Sequence, residues 1–480
     1  MMESSHKDGK RAGRIPSNTF SLKRKPVLKE TGYKKKISFL ENFRMEEKKK
    51  MKNKTKIVAL LEIGVVLSSV LFLAAPVFGA QAAAGSRGDD FVLGIYGNAN
   101  EDDTIDMRDF TYTARIICWL EEKNELADAN NDGEIDVGDM TQIGLIILGK
   151  ESELTIVDAA DRIVTVKKPV ERIVVMNTEG FETIRTLQAT DRVVGVSRYI
   201  VEDEVFYPGF SDYPNIGTPW SIDYEVLLEC EPDLVFTYTK YPKPQDLEEK
   251  IEGTGIVVLR FDFNKLPSFV QDVTVVSYVL GERSRAEEFI EFYNEQMQEI
   301  EEKVEQLSEE EKPKVYLEAD FGAGKKYYTC GKGHGHHQLL VAAGGKNIFD
   351  DVEYGKDILA EEVIYRNPEI IAKYKYPAGG IGKDVGDTKE LEEIRDEILG
   401  REELQHVTAV EEKKVFVFTW YTTRGAARYF LGIGYLAKWF HPELFEDLDP
   451  RANYQEYLTR FQGLEIDLEK QGVFAYPEPS

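Results

Sequence analysis

Three cysteines in 480 residues, Cys118, Cys230 and Cys330, are too few for a disulfide framework. Their wide spacing also excludes a structural zinc site. A single apolar run is long enough to reach across a bilayer, so a multi-span membrane protein is excluded. Basic residues are scarce beyond residue 56. The first 56 residues hold 18 Lys and Arg against 6 Asp and Glu, yet the whole chain has a net charge of −26. A body so acidic repels phosphate backbones, and no nucleic-acid partner is expected. No Gly-x-Ser-x-Gly elbow and no His-Glu-x-x-His motif occurs, so nothing marks a serine hydrolase or a zinc protease. The length predicts two or three domains.

The apolar run, residues 57–84, follows the basic stretch Lys48–Lys56 and ends in small residues. A basic flank, an apolar stretch and small-x-small sites at Ala80-Gln81-Ala82 and Ala82-Ala83-Ala84 predict a signal peptide or an N-terminal membrane anchor. Residues 1–56 read as a disordered basic tail or a mis-started extension, since Met45 and Met51 sit closer to the signal. Everything past about residue 85 is expected outside the cytoplasm, secreted or anchored to the membrane.

Residues 91–150 carry one oxygen-rich pattern twice. Asp128, Asn130, Asp132, Glu134, Asp136 and Asp139 fall at positions 1, 3, 5, 7, 9 and 12 of a loop, with Gly133 at position 6 and Ile135 at position 8. Thirty residues earlier, Asn98, Asn100, Asp102, Thr104, Asp106 and Asp109 repeat the spacing, with Asp103 at the glycine position. Ca²⁺ takes six to eight oxygen ligands at about 2.4 Å, and the sharp turn in such a loop favours glycine. An apolar helix pattern follows each loop. Two Ca²⁺ sites are therefore expected. Position 12 is Asp in both loops, and no helix precedes either. The duplicated loop-helix resembles a dockerin domain, which implies a cohesin-type module as partner. In dockerins, loop positions 10 and 11 govern partner choice; here they are Met107-Arg108 and Val137-Gly138, not a hydroxyl pair.

Beyond residue 150 short β-branched runs alternate with amphipathic stretches: Arg172–Met176, Arg192–Val196, Asp233–Phe236 and Gly255–Leu259, then Lys314–Leu317, Glu369–Ala372 and Lys414–Phe418. Such runs suit strands buried on both faces of parallel α/β sheets. Between the two sets a helical pattern from Phe269 to Val304 predicts one connecting helix over 267–308, about 60 Å long at 1.5 Å per residue. Glu225, six residues and Pro232 recur as Glu361, six residues and Pro368, each followed by an acid and two apolar residues. The echo implies two similar lobes, placed at 154–263 and 313–476.

Asp161-Arg162-Ile-Val-Thr-Val, Pro169-Val-Glu-Arg172, Asp191-Arg192-Val-Val-Gly195, Pro232-Asp233-Leu-Val and Ala343-Gly-Gly-Lys-Asn-Ile348, in that order, resemble the helical-backbone class of ABC-transporter substrate-binding proteins. That family captures iron-siderophores, haem and cobalamin. The fold class expected is thus α/β: two Rossmann-like lobes joined by one long helix, preceded by a small all-α dockerin-type domain. The resemblance implies an ABC permease and its ATPase as partners, with Glu225 and Glu361 docking into the permease.

Ligands of open α/β sheets bind beyond the carboxyl ends of the strands. Those positions hold Asn177, Thr178, Arg198, Tyr199, Trp220, Tyr238 and Lys240 in the first lobe, and Tyr374, Lys375, Trp420, Tyr421 and Arg424 in the second. Tyr328 precedes Cys330-Gly-Lys-Gly-His334-Gly-His336-His337, whose imidazoles suit a borderline metal. Aromatic walls and basic groups in an acidic body fit an anionic metal chelate, with iron or another transition metal as part of the cargo. The alternatives are direct metal-ion binding by His334, His336 and His337, a dockerin-tethered carbohydrate-active protein, and a cell-surface scaffold. No catalytic residues are assigned, and binding without catalysis is the expected function.

Overall fold

The computed structural model describes residues 91–321, 324, 326–381 and 387–479. The basic tail and the signal or anchor segment lie outside these residues. Among the described residues no helix is long and apolar enough to cross a membrane. Asp89–Ser480 form one unit.

The first part carries two loop-helix repeats, whose helices are α1 (Met107–Ile117) and α2 (Val137–Leu148). Asp106 and Asp136 each cap their helix in a reciprocal box with Asp109 and Asp139. Each box satisfies orphan N–H donors of the first turn. The two helices pack on each other around Phe110, Ile116, Met140, Ile143 and Ile146. This part is not strung on a linker. Tyr96 N–H donates to Thr155 O at 2.9 Å, and Val157 N–H donates to Gly94 O at 2.8 Å, so residues 94–96 pair with the next strand.

That strand, β1 (Glu153–Val157), forms a hairpin with β2 (Ile163–Lys167). The first lobe follows as a parallel sheet in the order β4–β3–β5–β6, made of β3 (Ile173–Val175), β4 (Val193–Val196), β5 (Leu234–Thr237) and β6 (Val257–Arg260). Helix α3 (Thr178–Thr186) leaves β3 at its carboxyl end, and α4 (Tyr224–Glu229) precedes β5. Val174, Met176, Leu227 and Val235 form the core beneath them.

The expected single connecting helix is two helices. α5 (Phe269–Leu280) ends at Gly281, which adopts the left-handed conformation at φ 74°, and α6 (Arg283–Glu305) starts two residues later. The Phe269 ring lies 6.0 Å from that of Phe289 and 5.1 Å from that of Tyr293. The chain has therefore turned back on itself into a hairpin. Residues 267–308 share one apolar periodicity because both helices bury it, but a glycine free to take positive φ is where a helix stops. α6 alone, 23 residues or about 35 Å, runs on to the second lobe.

The second lobe is built on β7 (Lys314–Phe321), with β8 (Tyr328–Cys330), β9 (Lys346–Asn347), β10 (Gly355–Asp357), β11 (Ile370–Tyr376), β12 (Val415–Thr419) and β13 (Ala475–Tyr476). Its order is β10–β8–β7–β11–β12–β13, with β9 also beside β7. The central β7–β11–β12 pairings are parallel. Helices α7 (Gly335–Ala342), α8 (Ala360–Arg366) and α9 (Tyr429–Phe440) flank it.

The segment 450–462, which sequence places in the second lobe, packs on α3 of the first. Glu182 of α3 receives Nε and Nη2 of Arg428 at 2.7 and 2.8 Å and the Tyr457 hydroxyl at 2.6 Å. The side chains of Glu182 and Arg428 are 2% and 0% exposed. Gln462 donates to Thr186 Oγ1 and accepts from Arg185, both at 2.6 Å. A buried pair stripped of one partner strands a charge in a poorly solvating interior. Arg428→Ala should therefore cost about 3–5 kcal/mol in urea unfolding, and Glu182→Leu with Arg428→Met together should recover most of it. A single-variant loss under about 1 kcal/mol would show that the pair does not hold the lobes.

Candidate functional site

The carboxyl ends of the two sheets meet at a narrow cleft, bridged where Gly425 packs on Glu179, Arg424 reaches Asp203 and the Tyr429 hydroxyl donates to Asn264 O. On the first-lobe side, Thr178 Oγ1 and the Tyr238 hydroxyl both donate to Glu179 Oε2 at 2.9 Å. Gly425 of the second lobe sits against this carboxylate: a Cβ there would lie 3.0 Å from Glu179 Cγ, and φ is 77°. Tyr199, Trp220, Tyr238 and Tyr241 form an aromatic rim, with ring centroids 6.1–6.4 Å from Trp220. Trp220 is 61% exposed, and Arg198 and Lys240 are also exposed. Asn177 is a correction to the expected ligand set. It is 1% exposed and donates Nδ2 to Phe261 O at 2.8 Å, so it braces two strand ends.

On the second-lobe side, His334 caps α7, its Nδ1 accepting the His336 N–H at 3.2 Å. The two Nδ1 atoms lie 3.3 Å apart. Phe321 stands 5.6 Å from both rings, Tyr374 4.2 Å from His336, and Tyr354 4.9 Å from His334. Tyr328 packs edge-on to Phe321. Burial lowers both imidazoles, His336 to about 3. Both rings are thus neutral, and His334 already spends the lone pair of Nδ1 on the His336 N–H. Thr423 Oγ1 lies 3.5 Å from His336 Nε2. The Arg424 guanidinium covers the Trp420 ring at 4.9 Å and reaches Asp203 Oδ2 at 3.4 Å. A recess of about 510 Å³ continues from Trp420 along Pro377–Gly379 and Glu390.

Three further expectations are corrected. His337 does not join the other imidazoles; its Nδ1 meets Asn347 Nδ2 at 3.0 Å, and that amide also donates to Cys330 O. Tyr421 is 4% exposed and lies under the Arg428 guanidinium, in the core. Lys375 is neutralised by Asp320 at 2.6 Å. Burial pushes the Cys330 thiol up to about 12. Among the described residues no three His, Cys, Asp or Glu side chains gather to hold a metal ion. Tyr354, Thr423 and Asp203 border the cleft without having been singled out by sequence. None follows a strand directly, and Asp203 is one acid in an acidic run.

A family model for periplasmic binding proteins matches residues 173–420, which span both lobes and the cleft. The chain belongs to the periplasmic binding protein family. The ABC transporter substrate-binding lipoprotein YvrC of Bacillus subtilis is 22% identical over 61% of this chain and 87% of its own length. The molybdate-binding protein MolA of Haemophilus influenzae is 22% identical over 64% and 90%. Among solved structures, the TroA-like periplasmic binding protein FepB from Veillonella parvula matches with a TM-score of 0.57 at 25% identity, covering 67% of this chain and 98% of that one. The Bacillus relative is, by its name, the substrate-binding component of an ABC transporter.

Glu225 and Glu361 each occupy the second position of a short helix, α4 and α8, and both are exposed. Leu228 shares the surface beside the first; Leu359, Ile364 and Tyr365, the last 90% exposed, surround the second.

In the second oxygen-rich loop, Asp128 accepts N–H bonds from Asp132 and Gly133 at 3.0 and 2.8 Å. Asp139 accepts from Asn130 and Asp136 at 3.2 and 2.7 Å. Asn130 Oδ1 accepts from Asp132 N–H, and Asp132 Oδ1 from Glu134 N–H. These bonds order carboxylate and amide oxygens along one short loop. Burial raises Asp109 to about 6, and raises Asp139 in the same sense.

A histidine kept neutral by folding binds its proton more weakly than in the unfolded chain. Its contribution to stability is complete above the ordinary value of 6.5 and is lost as pH falls from there toward 3. Wild type should therefore lose more stability than His336→Phe between pH 7 and pH 4.5 in urea melts. Parallel losses would show that His336 is not held neutral.

Proposed function

We propose that this protein captures a metal chelate of the iron-siderophore, haem or corrinoid type outside the cytoplasmic membrane and delivers it to its importer. The observation that carries this reading is the aromatic wall of Phe321, Tyr354 and Tyr374 around the imidazoles of His334 and His336, with Thr423 against His336 and Arg424 stacked on Trp420. With the His334 lone pair spent on its own helix cap, His336 leaves a bound metal short of donors, so most of its ligands must come from the cargo. That favours a chelate over a bare ion. Planar apolar faces of the chelate meet Trp220, Tyr238, Phe321 and Trp420, and Arg424 offers donors to an anionic or carbonyl-rich edge. Lys375 contributes less than its position suggests, because Asp320 already holds it. The molybdate-binding relative suggests that oxyanion cargo also suits this family's cleft.

Delivery uses the exposed acids. Glu225 and Glu361 stand at matched helix positions of the two lobes, placed to meet basic pockets on a two-subunit permease. Residues 91–150 act as a dockerin-type module that takes Ca²⁺ and attaches the protein to a cohesin-type partner. The exposed Met107 and Val137, at matching positions of the two helices, suit that contact. With residues 57–84 as signal or anchor, the protein works as an extracytoplasmic, surface-held binding protein.

One charge-assisted hydrogen bond contributes about 1.5–3 kcal/mol. Arg424→Ala should therefore weaken chelate binding roughly tenfold to a hundredfold in calorimetry against ferric siderophores, haem, corrinoids and free Fe, Co, Ni and Zn ions. Binding of free ions alone, lost in His336→Ala and unchanged in Arg424→Ala, would replace the chelate with a bare ion. Glu225→Ala with Glu361→Ala should leave affinity intact and abolish uptake by the reconstituted importer. Normal uptake would remove these acids from docking.

A further inference from the structure

Two opposite charges stand side by side in the cleft without pairing. A Cβ on Gly425 would lie 3.0 Å from Glu179 Cγ and 3.7 Å from Glu179 Cβ, so Arg424, the residue before Gly425, is held next to the Glu179 side chain. Gly425 takes φ 77°, a conformation that favours glycine, and a side chain there would press on the carboxylate. Yet no ion pair joins Arg424 to Glu179. The guanidinium reaches Asp203 Oδ2 instead, at 3.4 Å, and lies over Trp420. The two hydroxyls that Glu179 accepts, from Thr178 and Tyr238, both fall on Oε2. Among the described residues no hydrogen bond reaches Oε1.

The charges around this pair decide what can lie between its members. Two carboxylates, Glu179 and Asp203, stand around one guanidinium. On the opposite wall Lys375 is spent on Asp320, and the imidazoles of His334 and His336 are neutral. Arg198 and Lys240 stand on the exposed rim, where solvent and salt screen them. A cargo carboxylate brought to Arg424 would therefore sit against two like charges, which disfavour its ionised form. A carboxamide meets no such opposition. Its carbonyl oxygen accepts from the guanidinium while its N–H donates to Glu179 Oε1. Being neutral, it also loses less hydration on entry than an ion does. The recess that runs on from Trp420 has the same sign: Asp387 and Glu390 line it, and among the described residues no Lys or Arg does.

We propose that Glu179 is a specificity-determining residue: with Arg424 it selects a chelate whose edge carries carboxamides and rejects one edged with carboxylates. This rests on the chelate reading of the cleft, and within that reading it takes the neutral, carbonyl-rich edge over the anionic one. Glu179 discriminates by repulsion as well as by attraction, since the oxygen that accepts an amide N–H is the one that opposes an acid.

The test is calorimetry of the ligand-stripped, full-length protein against three matched pairs, each with one metal core and either amides or acids at its edge. The pairs are a dicyanocorrinoid as its peripheral amides and as its peripheral acids, haem with both propionates amidated and as the free diacid, and a ferric trihydroxamate ending in a carboxamide and in a carboxylate. In every pair that binds, the amide should bind roughly tenfold tighter or more. Glu179→Gln keeps the shape and still accepts the Thr178 and Tyr238 hydroxyls, so it should bring that ratio close to one or invert it. The wild-type ratio stands as a test whether or not the variant folds. Equal affinity within a pair, or a tighter acid, overturns the proposal and leaves the chelate reading standing. A ratio unchanged in a folded Glu179→Gln protein overturns the role given to Glu179. Binding of no member of any pair overturns the chelate reading and the proposal together.

Discussion

The cleft depends on the ion pair between Glu182 and Arg428. Glu182 lies one helical turn beyond Glu179, whose carboxylate faces the cleft, and Arg428 follows the segment that presents Trp420, Thr423 and Arg424. A bidentate bond between them therefore sets the two walls against each other. Burying two charges is costly in desolvation, and the geometry must offset it. Here both Glu182 oxygens are engaged, Tyr457 adds a hydroxyl, and the guanidinium lies 4.0 Å over Phe206 and 4.7 Å over Tyr421. The strap of residues 450–462 holds the same helix, with Tyr457 on the Glu182 carboxylate and Gln462 on the Glu182 carbonyl and Thr186 Oγ1, so the lobes are tied by more than the α5–α6 hairpin.

With the walls fixed, the chemistry of the cleft follows from what is already neutralised. Lys375 and Asp320 cancel each other, and Glu179 is held by two hydroxyls. What remains is aromatic surface, two uncharged imidazoles and the guanidinium of Arg424, held over Trp420 and shared with Asp203 at 3.4 Å. That is a surface for a bulky ligand with apolar faces and a few strong acceptors, and a poor one for a small hydrated ion. The same self-neutralisation appears in the first oxygen-rich loop, where Arg108 answers Asp102 and Asp106.

The α/β class was legible because buried parallel strands write themselves as short β-branched runs, and ligand positions follow from where such strands end. Aromatic rim residues such as Tyr199, Trp220 and Tyr238 sit where that rule puts them. The rule stops at the strand end, however, and cannot tell a side chain aimed at the cleft from one turned to brace its neighbour. Asn177 and Tyr421 are of the second kind, and His337 faces Asn347 although His336 beside it faces the cleft. Partners as far apart as Glu182 and Arg428, 246 positions, leave no local trace at all. The break in the connecting helix is hidden in the sequence for a different reason. Its apolar period runs unbroken across Gly281, and only the glycine itself signalled the reversal.

The most direct test is native mass spectrometry of the protein isolated from its own host, before any ligand is added. The account expects one non-covalent ligand with the isotope pattern of a transition metal inside an organic chelate, and a sharply reduced occupancy in Arg424→Ala. A co-purifying sugar or peptide, or a metal ion with no organic ligand, would contradict it.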